Sequence, residues 1–268
     1  MNRLQETFDA ARLARRKLLC PFLTAGYPSL EATPQLLLAA QSALGGHGIV
    51  ELGIPFSDPV ADGPVVQESY TRALASGITV DQALASVASA RKLGLTLPVV
   101  AMVSFSIIFK RGTQAFAQQC RRYELDGVVL PDVPLEEAPA ITDIMREAGL
   151  RTTLLVAPTS PPERRAAIAR LCDGFVYYLS VSGITGERKA LPSDIVSNIA
   201  SLRKVTTAPI CVGFGISTPE QVREVTAIAE GAIVGSAVIR RLTSTAHLGI
   251  SAQQEALAAL LRSLATGL

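Results

Sequence analysis

The sequence predicts an α/β fold, one closed barrel of eight parallel strands alternating with helices over residues 1–268. Three observations carry that prediction. Short apolar runs bounded by Gly, Pro or Asp recur along the chain, each continuous rather than alternating, as strands buried on both faces of a parallel sheet require. Helical patterns separate the runs, and strand–helix alternation points to parallel pairing. No linker, low-complexity tract or internal repeat divides the 268 residues, a common length for a single barrel of this kind.

Residues 1–16 come first, with Leu4, Phe8 and Ala11 at helical spacing among charges; this is an amphipathic helix and has no apolar signal core. The strand candidates are residues 18–24, 48–54, 97–105, 127–131, 151–157, 174–180, 209–214 and 232–235. The helices between them are residues 29–44, 80–93, 113–123, 137–148, 162–171, 193–205 and 218–229, with a last one from Gln253. Thr218-Pro219-Glu220 offers an N-cap with proline at the first helical position, and Ser160-Pro161-Pro162-Glu163 does much the same. An open doubly wound sheet is the rival architecture, but no GxGxxG follows the first strand. The expectation is therefore a single (β/α)8 TIM barrel, in one domain, preceded by an amphipathic helix.

Two connections exceed what a barrel needs, residues 57–79 after the second strand and 181–192 after the sixth. Long loops in compact domains are usually functional or disordered. Both leave the carboxyl ends of strands, the face on which such barrels carry their chemistry.

The bulk numbers exclude several classes. A hydrophobic share of 49% and a charged share of 18% suit a large core. With 25 basic and 23 acidic residues and no basic stripe interleaved with aromatics, nucleic-acid binding has no electrostatic footprint. The longest apolar stretches are strand-sized, so no membrane span is expected. Cys20, Cys120, Cys172 and Cys211 are widely spaced without a CxxC pair, which fits reduced thiols in a cytoplasmic protein.

Elimination narrows the chemistry. The two histidines, His47 before the second strand and His247 near the C-terminus, leave a metal centre or a Ser-His-Asp triad without its imidazole. Lys17, Lys92, Lys110, Lys189 and Lys204 all lie outside strands, where a Schiff-base lysine is not expected. Carboxylates remain. Glu51 stands inside the apolar run Ile49-Val50-Glu51-Leu52-Gly53-Ile54, a costly place for a charge unless it is partnered or protonated. A salt-bridged core residue is the plain alternative. Burial raises a carboxyl pKa towards neutrality, which suits acid–base work. Asp58 and Asp62 follow on the next loop; either alone is explained by turn chemistry before Pro or Gly, but with Glu51 they cluster. Asp132 in Leu130-Pro131-Asp132-Val133-Pro134 is either a further carboxylate or a loop-bracing acceptor.

Glycines end the last three strands, in Ser182-Gly183-Ile184-Thr185-Gly186, Gly213-Phe214-Gly215-Ile216-Ser217 and Gly235-Ser236. Small residues let backbone N–H groups close on an anion, and a helix N-terminus adds its dipole. Three adjacent loops of this kind point to a phosphate at the corner where many barrels bind one.

These residues resemble the alpha chain family of tryptophan synthase over nearly the full length. The resemblance rests on Pro21-Phe22-Leu23-Thr24-Ala25-Gly26, on Glu51-Leu52-Gly53-Ile54-Pro55-Phe56-Ser57-Asp58-Pro59-Val60-Ala61-Asp62-Gly63-Pro64, on Leu130-Pro131-Asp132-Val133-Pro134-Leu135-Glu136-Glu137, on Ala157-Pro158-Thr159-Ser160-Pro161, on Gly183-Ile184-Thr185-Gly186, and on Val212-Gly213-Phe214-Gly215-Ile216-Ser217. The second segment is highly specific.

The resemblance implies a lyase of tryptophan biosynthesis that cleaves indole-3-glycerol phosphate by retro-aldol chemistry to indole and glyceraldehyde 3-phosphate. It implies Glu51 as the acid–base group and Asp62 as the stabiliser of positive charge on the indole nitrogen, with Thr185 holding Asp62. Phe22, Ser104 and Tyr177 line the substrate pocket, and Gly186, Gly213, Phe214, Gly215, Gly235 and Ser236 surround the phosphate. Pro55 and Asp58 face a beta chain in an alpha2-beta2 assembly. Pyridoxal phosphate belongs to that partner; this chain carries no cofactor or metal.

Two stretches depart from the family pattern. Ser104-Phe105-Ser106-Ile107 stands where the family often has Tyr-Tyr-Asn-Pro, and Gly48 replaces an aspartate. Three readings follow: neutral drift with a repacked pocket, a specialised copy releasing free indole or acting on a related indole glycerol without a beta partner, and a weakly catalytic subunit that regulates a partner.

Overall fold

The computed structural model describes residues 2–60, 62–179, 194–213 and 215–268. Eight parallel strands close into a barrel in sequence order: β1 (Leu18–Thr24), β2 (Val50–Gly53), β3 (Val99–Met102), β4 (Gly127–Leu130), β5 (Arg151–Val156), β6 (Val176–Leu179), β7 (Ile210–Gly213) and β8 (Gly231–Val234). Each of the eight apolar runs supplies one strand. β1 pairs with both β2 and β8, with Phe22 beside Glu51 and Pro21 beside Val234. Five of the strands, β1, β2, β3, β4 and β8, are buried on both faces along their whole length, which is why they read as unbroken hydrophobic runs. In β7 only the terminal Gly213 is half-buried.

The helices are α1 (Arg3–Leu13), α2 (Ala32–Ala43), α3 (Pro64–Ala75), α4 (Val80–Lys92), α5 (Phe105–Arg111), α6 (Thr113–Arg122), α7 (Ala138–Glu147), α8 (Pro162–Leu171), α9 (Ile195–Leu202), α10 (Pro219–Thr226), α11 (Ser236–Thr245) and α12 (Ile250–Ala265). Thr218 caps α10 in a reciprocal capping box with Gln221, and Pro219 sits in its first turn, as the sequence predicts. Thr79 and Gln82 form the same box at α4.

α1 closes the amino-terminal end of the barrel. Its apolar stripe Leu4, Phe8 and Ala11 is buried, and the Phe8 ring lies 5.9 Å from that of Phe175 at the start of β6. Asn2 caps the helix through Leu4 N–H and donates to the carbonyls of Asp126 and Gly149. Beside it Asp126 gathers Arg3, Arg91 and the Val99 amide. His47 is exposed at this end, within 3.1 Å of Arg16. At Gly48, where an aspartate was expected from the family pattern, a Cβ would come within 2.5 Å of Leu44, so an apolar side chain occupies that space.

Three expectations need correction. Residues 57–79 are not one long loop: α3 begins at Pro64, with Pro in its first turn and Val66, Ser69, Tyr70 and Ala73 buried. The third strand does not reach Phe105; it stops at Met102, and Ser104 caps α5 instead. A further helix, α11, follows β8 directly, before the last one, which starts at Ile250 rather than Gln253. The 181–192 connection lies outside the described residues. All four cysteines are buried and unpaired. Among the described residues no helix is long and apolar enough to cross a membrane.

Candidate active site

At the carboxyl end of the barrel eight of the sequence-predicted residues meet around one cavity. Its walls include Phe22 from β1, Glu51 from β2, Asp62 from the loop before α3, Tyr177 from β6, Gly213 and Gly215 around the end of β7, and Gly235 and Ser236 after β8. Elements distant in sequence converge here because every strand runs parallel and delivers its carboxyl end to the same face.

Glu51 is the chemical centre of this cavity. The side chain is 2% exposed, and its Oε1 has no hydrogen-bond partner. Among the described residues no cation is paired with it, so the salt-bridged core reading does not describe it. Loss of hydration, with a smaller contribution from the nearby Asp62, pushes its carboxyl up to about 8. Glu51 is thus a carboxylic acid at neutral pH, with a proton to give and an oxygen free to receive one. Asp62 is raised to about 7 by burial. Two neighbouring acids raised to about 8 and about 7 suit a divided acid–base task near neutral pH.

Two tyrosines flank the pair. Tyr70 is buried and Tyr177 half-buried, and desolvation together with both carboxylates holds their phenols protonated, well above the usual range. Tyr70 was not foreseen. It came with α3, where the spacing of Val66, Tyr70 and Ala73 on one face was the available signal. Met102, Leu155, Leu179, Val66 and Ile233 complete the apolar lining.

The backbone makes room for these rings. A Cβ at Gly53 would stand 2.4 Å from Phe22 Cζ and 2.5 Å from Tyr70 Oη, and one at Gly213 would stand 2.9 Å from the Tyr177 ring. Gly53→Ala is therefore expected to displace both rings, costing about 1–3 kcal/mol of stability and loosening the pocket. Urea unfolding and substrate KM together check this; wild-type values for both would show that the rings move freely.

At the opposite side of the cavity, α11 starts at Ser236 with Gly235 as its N-cap. Its first-turn amides have no acceptors within the helix, and its dipole favours an anion there. This is the predicted phosphate corner. Gly213, Gly215, Gly235 and Ser236 lie together at it; Thr185, Gly186 and Phe214 are outside the described residues.

Asp132 does not join the carboxylate pair. It accepts from Ser104 Oγ and from the Phe105 amide, both at 2.7 Å, and so braces the loop after β4 against the start of α5. Ser104 lies beside the main cavity, in an adjoining hollow that reaches Asp62. On the loop after β2, Pro55 is buried and Asp58 is exposed. Among the described residues no cluster of three or more His, Cys, Asp or Glu side chains could hold a metal ion.

Comparison with known proteins gives a consistent picture. The family model for the tryptophan synthase alpha chain matches residues 8–266. The chain is similar to the tryptophan synthase alpha chain of a Picosynechococcus species, 44% identical over 95% of this chain and 96% of that one. It is 40% identical to that of Burkholderia multivorans, over 100% of this chain and 98% of the relative. Among solved structures, tryptophan synthase subunit alpha from Legionella pneumophila superposes with a TM-score of 0.88 at 35% identity, over 100% and 98% of the two chains. A chain of Mycobacterium tuberculosis tryptophan synthase gives 0.88 at 32% identity, over 99% and 98%.

Proposed function

The chain belongs to the tryptophan synthase alpha chain family, a lyase family that cleaves indole-3-glycerol phosphate, and from that membership we propose how its own residues do so. The observation that carries the proposal is Glu51: buried, protonated near neutrality and with an uncommitted oxygen. The substrate spans the barrel mouth, its phosphate at the amino end of α11 and its indole ring towards Asp62 and Met102. Glu51 gives its proton to indole C3. Positive charge then develops on the ring nitrogen, where ionised Asp62 accepts the N–H and stabilises it. The carboxylate left on Glu51 takes the glycerol hydroxyl proton as the carbon–carbon bond breaks. The bonding pair returns to the ring, releasing indole and glyceraldehyde 3-phosphate.

Glu51 and Asp62 are the catalytic residues of this proposal, Phe22, Tyr177 and Ser104 shape the indole side, and Gly213, Gly215, Gly235 and Ser236 hold the phosphate. Alpha chains of this family work with a beta chain. The proposal places Pro55 and exposed Asp58 towards such a partner in an alpha2-beta2 assembly, leaves pyridoxal phosphate to the partner, and treats residues 1–268 as one cytoplasmic domain. Incubating the purified chain with indole-3-glycerol phosphate should release indole, and adding a beta chain should raise the rate. No indole under either condition would overturn the assignment; indole release indifferent to the beta chain would remove the partner.

A further inference from the structure

The main cavity does not end at the carboxylates. A second hollow adjoins it, sharing Asp62 and Met102, and continues past them to Ser104, Pro131 and Asp132, with Tyr70 on its wall. The two together trace a line across the mouth, from the phosphate corner at β7 and β8, past β2 and β3, to the loops after β3 and β4. An indole ring anchored by its phosphate at one end and by Asp62 at its nitrogen therefore presents its benzo edge to the second hollow.

That hollow is small and specific in shape. Its volume is about 20 Å3, room for one water or one methyl-sized group. Ile54, Phe56, Met102 and Val103 make most of it apolar. Its far wall is held in place rather than free to collapse, because Ser104 and the Phe105 amide both bond Asp132 and lock two loops together. Ser104 is the smallest side chain lining it and is 8% exposed, so a larger residue there intrudes on the hollow.

We propose that this hollow is a subsite for a small substituent on the benzo ring, so that the chain accepts ring-substituted indole-3-glycerol phosphates, with Ser104 as the specificity-determining residue. The inference rests on the reaction proposed above and names its substrate class. A methyl group at position 6 or 7, the edge next to the ring nitrogen, fits the hollow.

The test is a ratio, measured within each enzyme. In the wild-type chain, kcat/KM for 6-methylindole-3-glycerol phosphate should lie within about threefold of that for the unsubstituted substrate, whereas a pocket one methyl too tight discriminates by roughly tenfold or more. Ser104→Leu and Ser104→Tyr should lower that ratio by about tenfold, and Ser104→Ala should keep it. The ratio is independent of the fraction of enzyme correctly folded. Calorimetric titration with an indol-3-yl alkyl phosphate lacking the glycerol hydroxyls, with and without the 6-methyl group, gives the same comparison without turnover. A wild-type ratio below one tenth, or a ratio that bulky residues at 104 leave unchanged, would overturn the subsite. Absence of indole release alongside a binding ratio near one would overturn the reaction and leave the subsite standing.

Discussion

Glu51→Gln is expected to lower kcat/KM for indole release by about a thousandfold, while making the folded chain more stable at pH 8. The activity loss follows from removing the group proposed to give and retrieve the proton; positioned acid–base groups contribute roughly 10²–10⁴ in rate. The stability gain follows from the sign of the shift. The folded carboxyl titrates near 8, against an ordinary value of 4.5, so between those values the folded chain holds a proton that the unfolded chain has released. Stability therefore falls as pH rises through that window, by up to ~1.4 kcal/mol per pH unit, and levels off above about 8. Glutamine removes this penalty. Urea unfolding of both proteins at pH 5 and pH 8 should show a variant advantage of about a few kcal/mol at most, and chiefly at the higher pH. A structural carboxylate locked in an ion pair predicts the reverse: glutamine would destabilise at both pH values. Undiminished indole release would remove Glu51 from the mechanism altogether.

How much of this was visible in the sequence depends on what each element had to signal. The strands announced themselves because burial on both faces forces continuous apolar runs, and Glu51 stood out because a carboxylate inside such a run needs a reason. The corner proposed for the phosphate, where Gly213, Gly215, Gly235 and Ser236 line the cavity, was legible from glycines in adjacent loops. α3 was not, since its approach through Asp58-Pro59 and Asp62-Gly63-Pro64 is written in turn residues, and Pro64 looked like the last of them when it is the first residue of a helix. With α3 went Tyr70, and with Tyr70 the reason Gly53 has no side chain. α5 was obscured differently. Phe105-Ser106-Ile107-Ile108 has the β-branched, aromatic character of a strand end, and the local Ser104 cap on the Ser106 amide is supported by long-range bonds that Ser104 Oγ and the Phe105 amide donate to Asp132. Local pattern cannot report a partner that is distant in sequence.

Asp62→Asn should lower kcat by about 10²–10³ and change the pH profile in two places. Asparagine keeps the shape and an oxygen for the indole N–H but carries no charge, so the developing cation loses the stabilisation that buried electrostatic partners typically provide. The local turn survives, because the bond that Gln67 makes here is to the backbone carbonyl of residue 62 rather than to its carboxyl. In the wild-type chain, activity needs Asp62 ionised and Glu51 protonated. The rate should rise as pH passes about 7 and fall beyond about 8, the two limbs belonging to the coupled pair rather than to either residue alone. The variant loses the acid limb. Its alkaline limb should also move to lower pH, because the Asp62 charge is one of the two causes holding Glu51 high. The move is partial, since burial is the larger cause and remains. A profile of kcat/KM from pH 5 to 9 for both proteins checks the pair. If the alkaline limb stays where it is in the wild type, the carboxylates are not in electrostatic contact, and Asp62 acts on the substrate alone.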